Sequence, residues 1–101
     1  MTALKHFFYT IHPVRGQAFF EAPSAEEQAA IGDHFRYMQQ ALTDGILLAA
    51  GPCADDSFGI GILRMESEKA AREFMDNDPS VKANVQYVEM RPLLLYLWAG
   101  K

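Results

Sequence analysis

The sequence contains a single cysteine, Cys53, among its 101 residues. One thiol cannot form an internal disulfide, nor can it supply the set of thiolates that holds a structural zinc ion. No run approaches the ~18 apolar residues that a membrane-spanning helix needs, and residues 1–8 lack the small-residue cleavage site of an export signal. We therefore expect a cytoplasmic protein without a disulfide or a membrane anchor.

Positive charge is scarce along the chain. Nine Lys and Arg residues stand against 13 Asp and Glu residues, which leaves a formal net charge of −4. Nucleic-acid binding depends on clustered Lys and Arg, whereas here they are scattered, so DNA and RNA are not expected partners. The sequence also lacks a Gly-rich phosphate loop, a nucleophile elbow and a metal-binding motif, so it predicts neither a cofactor nor a metal ion.

The remaining composition is that of an ordinary globular domain. Hydrophobic residues make up 50% of the chain and charged residues 22%, a balance that favours an ordered fold. A length near 100 residues is common for one domain and leaves no room for a second core. Residues 1–101 are therefore interpreted as a single domain.

Six predicted elements follow from the hydrophobic periodicity and from the Gly-, Pro- and Asp-containing turns between them. In order, they are a strand at 4–12, a helix at 24–44, strands at 46–50 and 58–65, a helix at 67–77 and a strand at 86–98. Pro92 implies that the last strand lies at a sheet edge or contains a bulge. This β-α-β-β-α-β order predicts a ferredoxin-like α+β fold, in which two helices pack on one face of a four-stranded antiparallel sheet.

Specific residues mark the ends of the two predicted helices. Ser24 and Glu27 form a capping box, in which a hydroxyl and a carboxylate take up backbone N–H groups at the helix start. Ser67 caps the second helix, and Asp78-Pro79 ends it. The expected apolar faces are Ile31, Phe35, Met38 and Leu42 in the first helix and Ala70, Ala71, Phe74 and Met75 in the second.

The first predicted strand carries apolar residues on both faces. Phe7, Tyr9 and Ile11 share one face, whereas Leu4 and Phe8 belong to the other. The helices cover only one side of the sheet, and the chain has no spare element for the second side. Because a bare apolar face usually marks an association surface, we expect a homodimer that stacks sheet on sheet.

Several short stretches form a pattern in their order and spacing. They are Pro13-Val14-Arg15 with Phe19 and Phe20, Asp33-His34-Phe35, residues 45–52, residues 59–62, Asn77-Asp78-Pro79, Val81-Lys82-Ala83 and Met90-Arg91-Pro92. Together they resemble the YCII-related family of dimeric α+β barrel proteins over nearly the whole chain, apart from a departure at Gly16 and Gln17. The resemblance implies a homodimer with one small-molecule pocket per subunit, centred on His34 and Asp78.

His34 lies at the boundary of the apolar stripe expected for the first helix. Because an imidazole exchanges protons near neutrality, His34 is a candidate proton shuttle, with Asp78 as the carboxylate that orients it. The alternative is a helix-edge histidine satisfied by one hydrogen bond, next to an aspartate that forms a turn before Pro79. The sequence does not establish whether His34 and Asp78 touch.

The loop at residues 13–23 is apolar enough to fold over something, which makes it a candidate lid. Arg15 is a candidate for binding a substrate carboxylate or phenolate through two hydrogen bonds. Phe19 or Phe20 is a candidate for covering an aromatic ring. The alternative for Arg15 is a solvated position on the loop.

These residues lead to a functional hypothesis. It is a cofactor-independent enzyme that transfers protons on a small carboxylated or aromatic metabolite, with elimination or isomerisation as the net reaction. Two alternatives stay open: a non-catalytic ligand-binding or accessory module that uses the same dimer pocket, and a cofactor-free oxygenase.

Overall fold

Four strands and four helices make up the fold in the computed structural model, which describes residues 3–100. In chain order they are β1 (Lys5–Pro13), α1 (Gln17–Glu21), α2 (Ala25–Thr43), β2 (Leu47–Pro52), β3 (Gly59–Met65), α3 (Glu68–Asp76), α4 (Pro79–Lys82) and β4 (Gln86–Leu93). The six predicted elements are present in the predicted order, and the short helices α1 and α4 add to them. None of the helices in this part of the chain has the length and apolar composition of a membrane span.

The strands form one antiparallel sheet in the order β2-β3-β1-β4. This is the ferredoxin-like topology, so the predicted fold class is confirmed. β4 is an edge strand, as Pro92 predicts, because a proline cannot donate to a further neighbour. The strand predicted at 86–98 ends at Leu93, where its partner on β1 is His6. Beyond that point β1 has almost no residues left to pair with, so residues 94–98 form no strand.

The core lies between the sheet and helices α2 and α3. Phe7, Tyr9 and Ile11 of β1 are at most 5% exposed, and Leu63 of β3 is fully buried. The alternation in β1 therefore places the predicted face against the helices. The helix residues that complete this cluster are Met38, Ala41, Ala71 and Met75.

The face that α2 turns inward differs from the predicted stripe. Phe35 and Leu42 are 62% and 56% exposed. Met38 is buried as predicted, and the other buried residues of α2 are Glu27, Ala30 and Ala41. The stripe prediction was wrong for Phe35 and Leu42 because it counted large apolar side chains alone. The observed rotation places two alanines against the protein interior, with His34 between them on the same side of the helix.

The predicted helix starts are confirmed. The Glu27 backbone N–H donates to Ser24 Oγ at 3.0 Å, and the Ser24 N–H donates to Glu27 Oε1 at 2.8 Å, which completes the capping box. Ser67 Oγ accepts from the Ala70 N–H in the same way. Gly45, at φ 78°, follows α2 in the left-handed conformation that favours glycine.

Gly61 on β3 provides the space for the Tyr9 ring. The two residues are directly paired between β1 and β3. A Cβ atom at Gly61 would lie 2.2–2.3 Å from atoms of the Tyr9 ring, much closer than any van der Waals contact. The space that Gly61 leaves on β3 is therefore occupied by the Tyr9 ring.

We expect Gly61→Ala to lower the free energy of unfolding by about 3 kcal/mol, because the added methyl overpacks the core against a ring with no room to move. Gly51→Ala on β2 is the matched control, since nothing lies within 4 Å of a Cβ atom there. Its effect should stay within about 0.5 kcal/mol. Urea unfolding of the two variants measures both values, and equal effects would contradict the packing explanation.

Candidate functional site

The structure brings His34 and Asp78 together. His34 lies on α2, and Asp78 lies between α3 and α4. Nδ1 of His34 is 2.5 Å from Oδ2 of Asp78, so the two side chains are hydrogen-bonded. The His34 side chain is 20% exposed and that of Asp78 is 0% exposed. The imidazole therefore connects a fully buried carboxylate to the surface.

Asp78 is held in place as the cap of a helix start. Oδ1 accepts from the Ser80 backbone N–H and from the Ser80 hydroxyl, each at 2.9 Å. Pro79 occupies the first position of α4, where its missing N–H costs nothing. With Oδ1 satisfied by Ser80, Oδ2 is the oxygen that faces His34.

Ser80 extends this network to the sheet. Its hydroxyl lies 2.9 Å from Oε1 of Gln86, the first residue of β4. A chain of hydrogen bonds therefore connects His34 on α2, through Asp78 and Ser80, to Gln86 on the edge strand β4. Ser80 and Gln86 are not among the residues predicted from the sequence, because Asp78-Pro79 is a common helix end, although Asp followed by Pro is also the pattern of a helix start.

Two tyrosines lie close enough to Asp78 to respond to its charge. Burial raises the pKa of Tyr9, and the Asp78 carboxylate raises it further. The same two causes, in the same order, raise the pKa of Tyr37, whose hydroxyl donates to the Phe74 carbonyl at 2.8 Å. Both phenols therefore stay protonated. The strand alternation signalled that Tyr9 faces the helices, but not that a carboxylate lies nearby.

Arg15 is engaged with the start of α2. Its Nε donates to Glu27 Oε2 at 2.8 Å, and its Nη2 donates to Glu27 Oε1 at 2.7 Å. Nη2 also donates to the Ala22 carbonyl at 2.9 Å. Arg15 thereby ties the loop to the same carboxylate that completes the capping box, a partner that the sequence pattern does not indicate for Arg15.

Phe19 and Phe20 lie on α1 within this loop. Their rings pack edge to face, with centroids 5.1 Å apart and planes at 87°. Both side chains are half-buried. The structure thus orders the loop as a short helix that carries an aromatic pair beside the Arg15–Glu27 ion pair.

Two cavities lie elsewhere on the surface. One, of about 430 Å³, is lined by residues 4–7 and 92–96. The other, of about 70 Å³, lies between α3 and β4. Within residues 3–100, no group of three or more His, Cys, Asp or Glu side chains is placed to hold a metal ion.

Comparison with known proteins identifies the fold and the domain type. The YCII-related domain matches residues 8–94. The solved structure of 5-chloro-2-hydroxyhydroquinone dehydrochlorinase (TftG) from Burkholderia phenoliruptrix AC1100, in complex with 2,5-dihydroxybenzoquinone, is 20% identical, with a TM-score of 0.51 over 82% of this chain and 90% of that chain. A monooxygenase from the gene ActVA-Orf6 of Streptomyces coelicolor, in complex with nanaomycin D, is 14% identical, with a TM-score of 0.47 over 95% of this chain and 93% of that chain. No curated protein matches the sequence.

The Arg15–Glu27 pair predicts a dependence of stability on pH. The hydrogen bond from Arg15, followed by that from the Ser24 backbone, lowers the pKa of Glu27 from 4.5 to about 2. Because the folded-state pKa is depressed, the stabilisation is complete above pH 4.5 and is lost as the pH falls towards 2. The difference in free energy of unfolding between the wild type and Glu27→Gln should therefore shrink across this interval.

Urea unfolding at a series of pH values measures that difference. Glu26→Gln is the matched control, because Glu26 occupies the same helix turn but is exposed. Its difference from the wild type should stay flat over the interval. The same decline in both variants would contradict the assignment to the Arg15–Glu27 pair.

Proposed function

This chain belongs to the YCII-related family, and we propose that its His34–Asp78 pair makes it a cofactor-independent enzyme that transfers protons on a small carboxylated or aromatic metabolite. The observation that carries the proposal is the 2.5 Å hydrogen bond between a partly exposed imidazole and a fully buried carboxylate. One hydrogen bond to any acceptor would be enough for a histidine without a function. A fully buried carboxylate as its partner is unusual, since burying the charge of Asp78 is costly unless it has a function or strong partners.

His34 is the group that exchanges the proton. Nδ1 faces Asp78, so Nε2 is the nitrogen that remains for a substrate. An Nδ1–H that donates to the carboxylate leaves a lone pair on Nε2, which is the basic form of the ring. His34 then acts as general base at Nε2 and, once protonated, as general acid.

Elimination or isomerisation is the net reaction. Nε2 removes a proton from a carbon next to an electron-withdrawing group, and the C–H electron pair forms a double bond. In an elimination a leaving group departs from the adjacent carbon with its bonding electrons, and Nε2 returns the proton to that group or to water. In an isomerisation Nε2 returns the proton to a different carbon.

Asp78 is a positioning residue. With 0% exposure, its carboxylate does not reach a substrate. It fixes the tautomer and orientation of His34, and it stabilises the imidazolium that forms when Nε2 accepts a proton. Ser80 keeps the carboxylate from rotating, because it occupies Oδ1 with two hydrogen bonds.

The substrate contacts come from the loop. Arg15 uses Nε and Nη2 for Glu27 and the loop carbonyls, so Nη1 is the group that we assign to a substrate carboxylate or phenolate. Phe19 and Phe20 supply an aromatic wall for a ring. Elimination has a precedent on this fold, since the Burkholderia protein is named a dehydrochlorinase, but the proposal rests on the His34–Asp78 pair of this chain.

Kinetics of His34→Gln test the proposal directly. On a substrate found by screening chlorinated hydroquinones and carboxylated aromatics, we expect kcat to fall about 10²–10⁴-fold with KM little changed, because only the proton transfer is lost. Asp78→Asn should lower kcat in the same direction. Arg36→Gln, an exposed residue on the same helix, is the control and should leave kcat unchanged.

A second measurement tests the tautomer assigned to His34. The ¹⁵N chemical shifts of the imidazoles should show His34 with its proton on Nδ1 in the wild type.

The kinetics also contain the outcome that contradicts the proposal. If His34→Gln is folded and turns over the substrate as fast as the wild type, the proton-transfer role is wrong. The non-catalytic ligand-binding module is then the better description.

We also propose that two copies associate through the sheet face that carries no helix. On that face β1 and β3 place Phe8 opposite Ile62 and Thr10 opposite Ile60. Ile60 and Tyr87 are 41% and 49% exposed, although they are large apolar side chains on regular strands. A second copy that covers this face would remove such side chains from water.

Ile60→Glu should therefore convert a dimer to a monomer, because it introduces a charge into the middle of the covered face. Sedimentation velocity measures the change in mass. Phe35→Glu, on the exposed side of α2, is the matched control and should remain dimeric. A monomeric wild type, or a dimer that only Phe35→Glu disrupts, would contradict stacking through the sheet.

A further inference from the structure

The Ser80 hydroxyl contacts two acceptor oxygens in a place that water does not reach. Ser80 is 0% exposed, and its Oγ atom lies 2.9 Å from both Oδ1 of Asp78 and Oε1 of Gln86. A serine hydroxyl carries one proton, and both of these oxygens are acceptors when Asp78 is ionised. One proton cannot serve both contacts at once, so one of them needs a donor from elsewhere.

The charge on Asp78 decides where the Ser80 proton points. A hydrogen bond to an ionised carboxylate is roughly twice as strong as one to a neutral carbonyl oxygen. Because this carboxylate is fully buried, each donor that it loses is costly. The Ser80 proton therefore points to Oδ1 of Asp78, which leaves the lone pairs of Ser80 Oγ facing the amide of Gln86.

The Gln86 amide supplies the missing donor after half a rotation. The oxygen and the NH2 group of a carboxamide are nearly equal in size, so this rotation exchanges Oε1 and Nε2 at the same two positions. With Oε1 toward Ser80, two sets of lone pairs face each other at 2.9 Å with no proton between them. With Nε2 toward Ser80, the same contact is a hydrogen bond.

The sheet register places Gln86 on the correct side for this contact. Gln86 is the first residue of β4 and pairs with Pro13 at the end of β1. Pro13 shares a face of β1 with Ile11, which packs into the core beneath the helices. The Gln86 amide therefore reaches Ser80 on α4 from the sheet, whereas His34 reaches the same network from α2.

We propose that Gln86 is a positioning residue for the His34–Asp78 pair, with its Nε2 donating to Ser80 Oγ. This bond keeps the Ser80 proton on Asp78, so Asp78 remains the ionised acceptor of the His34 Nδ1–H. Because successive hydrogen bonds polarise one another, the contacts act as a unit. The part of Gln86 in catalysis rests on the function proposed for His34, whereas the direction of these hydrogen bonds does not.

Hydrogen exchange of the Gln86 side-chain amide, followed by ¹⁵N NMR, tests the orientation. With Nε2 bonded to the buried Ser80, one of its two protons should exchange with water more slowly than the other, and Ser80→Ala should abolish the difference. Gln40 is the internal control, because its amide donates to Asp44 at the surface and should show no such slowing. Fast exchange of both Gln86 protons, or a difference that survives Ser80→Ala, would overturn the proposal.

The proton resonance of the His34 Nδ1–H reports whether Gln86 acts on the pair. Gln86→Glu replaces the amide with two acceptor oxygens, which draw the Ser80 proton away from Asp78. Asp78 then accepts more strongly from His34, and the resonance should move downfield. Gln86→Met removes the donor without adding a strong acceptor and should move the resonance in the same direction by less. Gln40→Glu is the matched control and should leave it unchanged.

A double-mutant cycle shows whether the effect passes through Ser80. In a Ser80→Ala background, Gln86→Met should cause no further shift of the His34 resonance. If Ser80→Ala does not fold, the sign of the shift in Gln86→Met alone decides, because an upfield shift means that Oε1 competes for the Ser80 proton. An upfield shift, no shift, or the same shift in both backgrounds contradicts the role of Gln86.

Failure of this proposal is distinguishable from failure of the proposed function, because these spectra are recorded without substrate. If the resonance responds as expected but His34→Gln keeps full turnover, the direction of the hydrogen bonds is supported and their part in catalysis is wrong. If His34→Gln loses turnover but Gln86→Met leaves the resonance in place, only the role of Gln86 is wrong.

Discussion

The structure depends on the burial of one carboxylate. Asp78 has no exposed surface, and a charge taken out of water is tolerated only when hydrogen bonds replace its hydration. Three donors do so: the backbone N–H and hydroxyl of Ser80, and Nδ1 of His34. These donors come from two helices that are distant in sequence. The requirement to satisfy Asp78 therefore fixes how α2 and α4 meet.

The rotation of α2 follows from this contact. His34 reaches Asp78 only if its side of the helix faces inward, which buries Ala30, Met38 and Ala41 and leaves Phe35 exposed. Ala30, His34, Met38 and Ala41 recur at spacings of four, four and three, which is also a helical pattern. A count of large apolar residues missed it, because the inward face is built from small residues and one histidine. A polar contact between distant segments carries no periodic signal.

Local signals predicted most of the fold. The capping box at Ser24, the alternation through β1 and the proline near the end of β4 each depend on neighbouring residues, so the sequence alone reveals them. The missed features depend on distant partners. α4 is four residues long, too short for a periodic pattern, and it begins at a carboxylate whose partner is 44 positions away. Residues 94–98 have the composition of a strand but lack a neighbour to pair with.

β1 links the two sides of the molecule through its register. Successive side chains alternate, so Tyr9 faces the helices near Asp78, whereas His6 belongs to the opposite face beside Arg64. A slip of one residue would exchange these faces and place His6 in the core. The fit of the Tyr9 ring over Gly61 disfavours such a slip, because a shift of one residue would pair Tyr9 with Ile60 or Ile62 instead of a glycine. One packing contact in the central strand thus fixes which side chains of β1 face the carboxylate network on the helix side and which face the other side of the sheet.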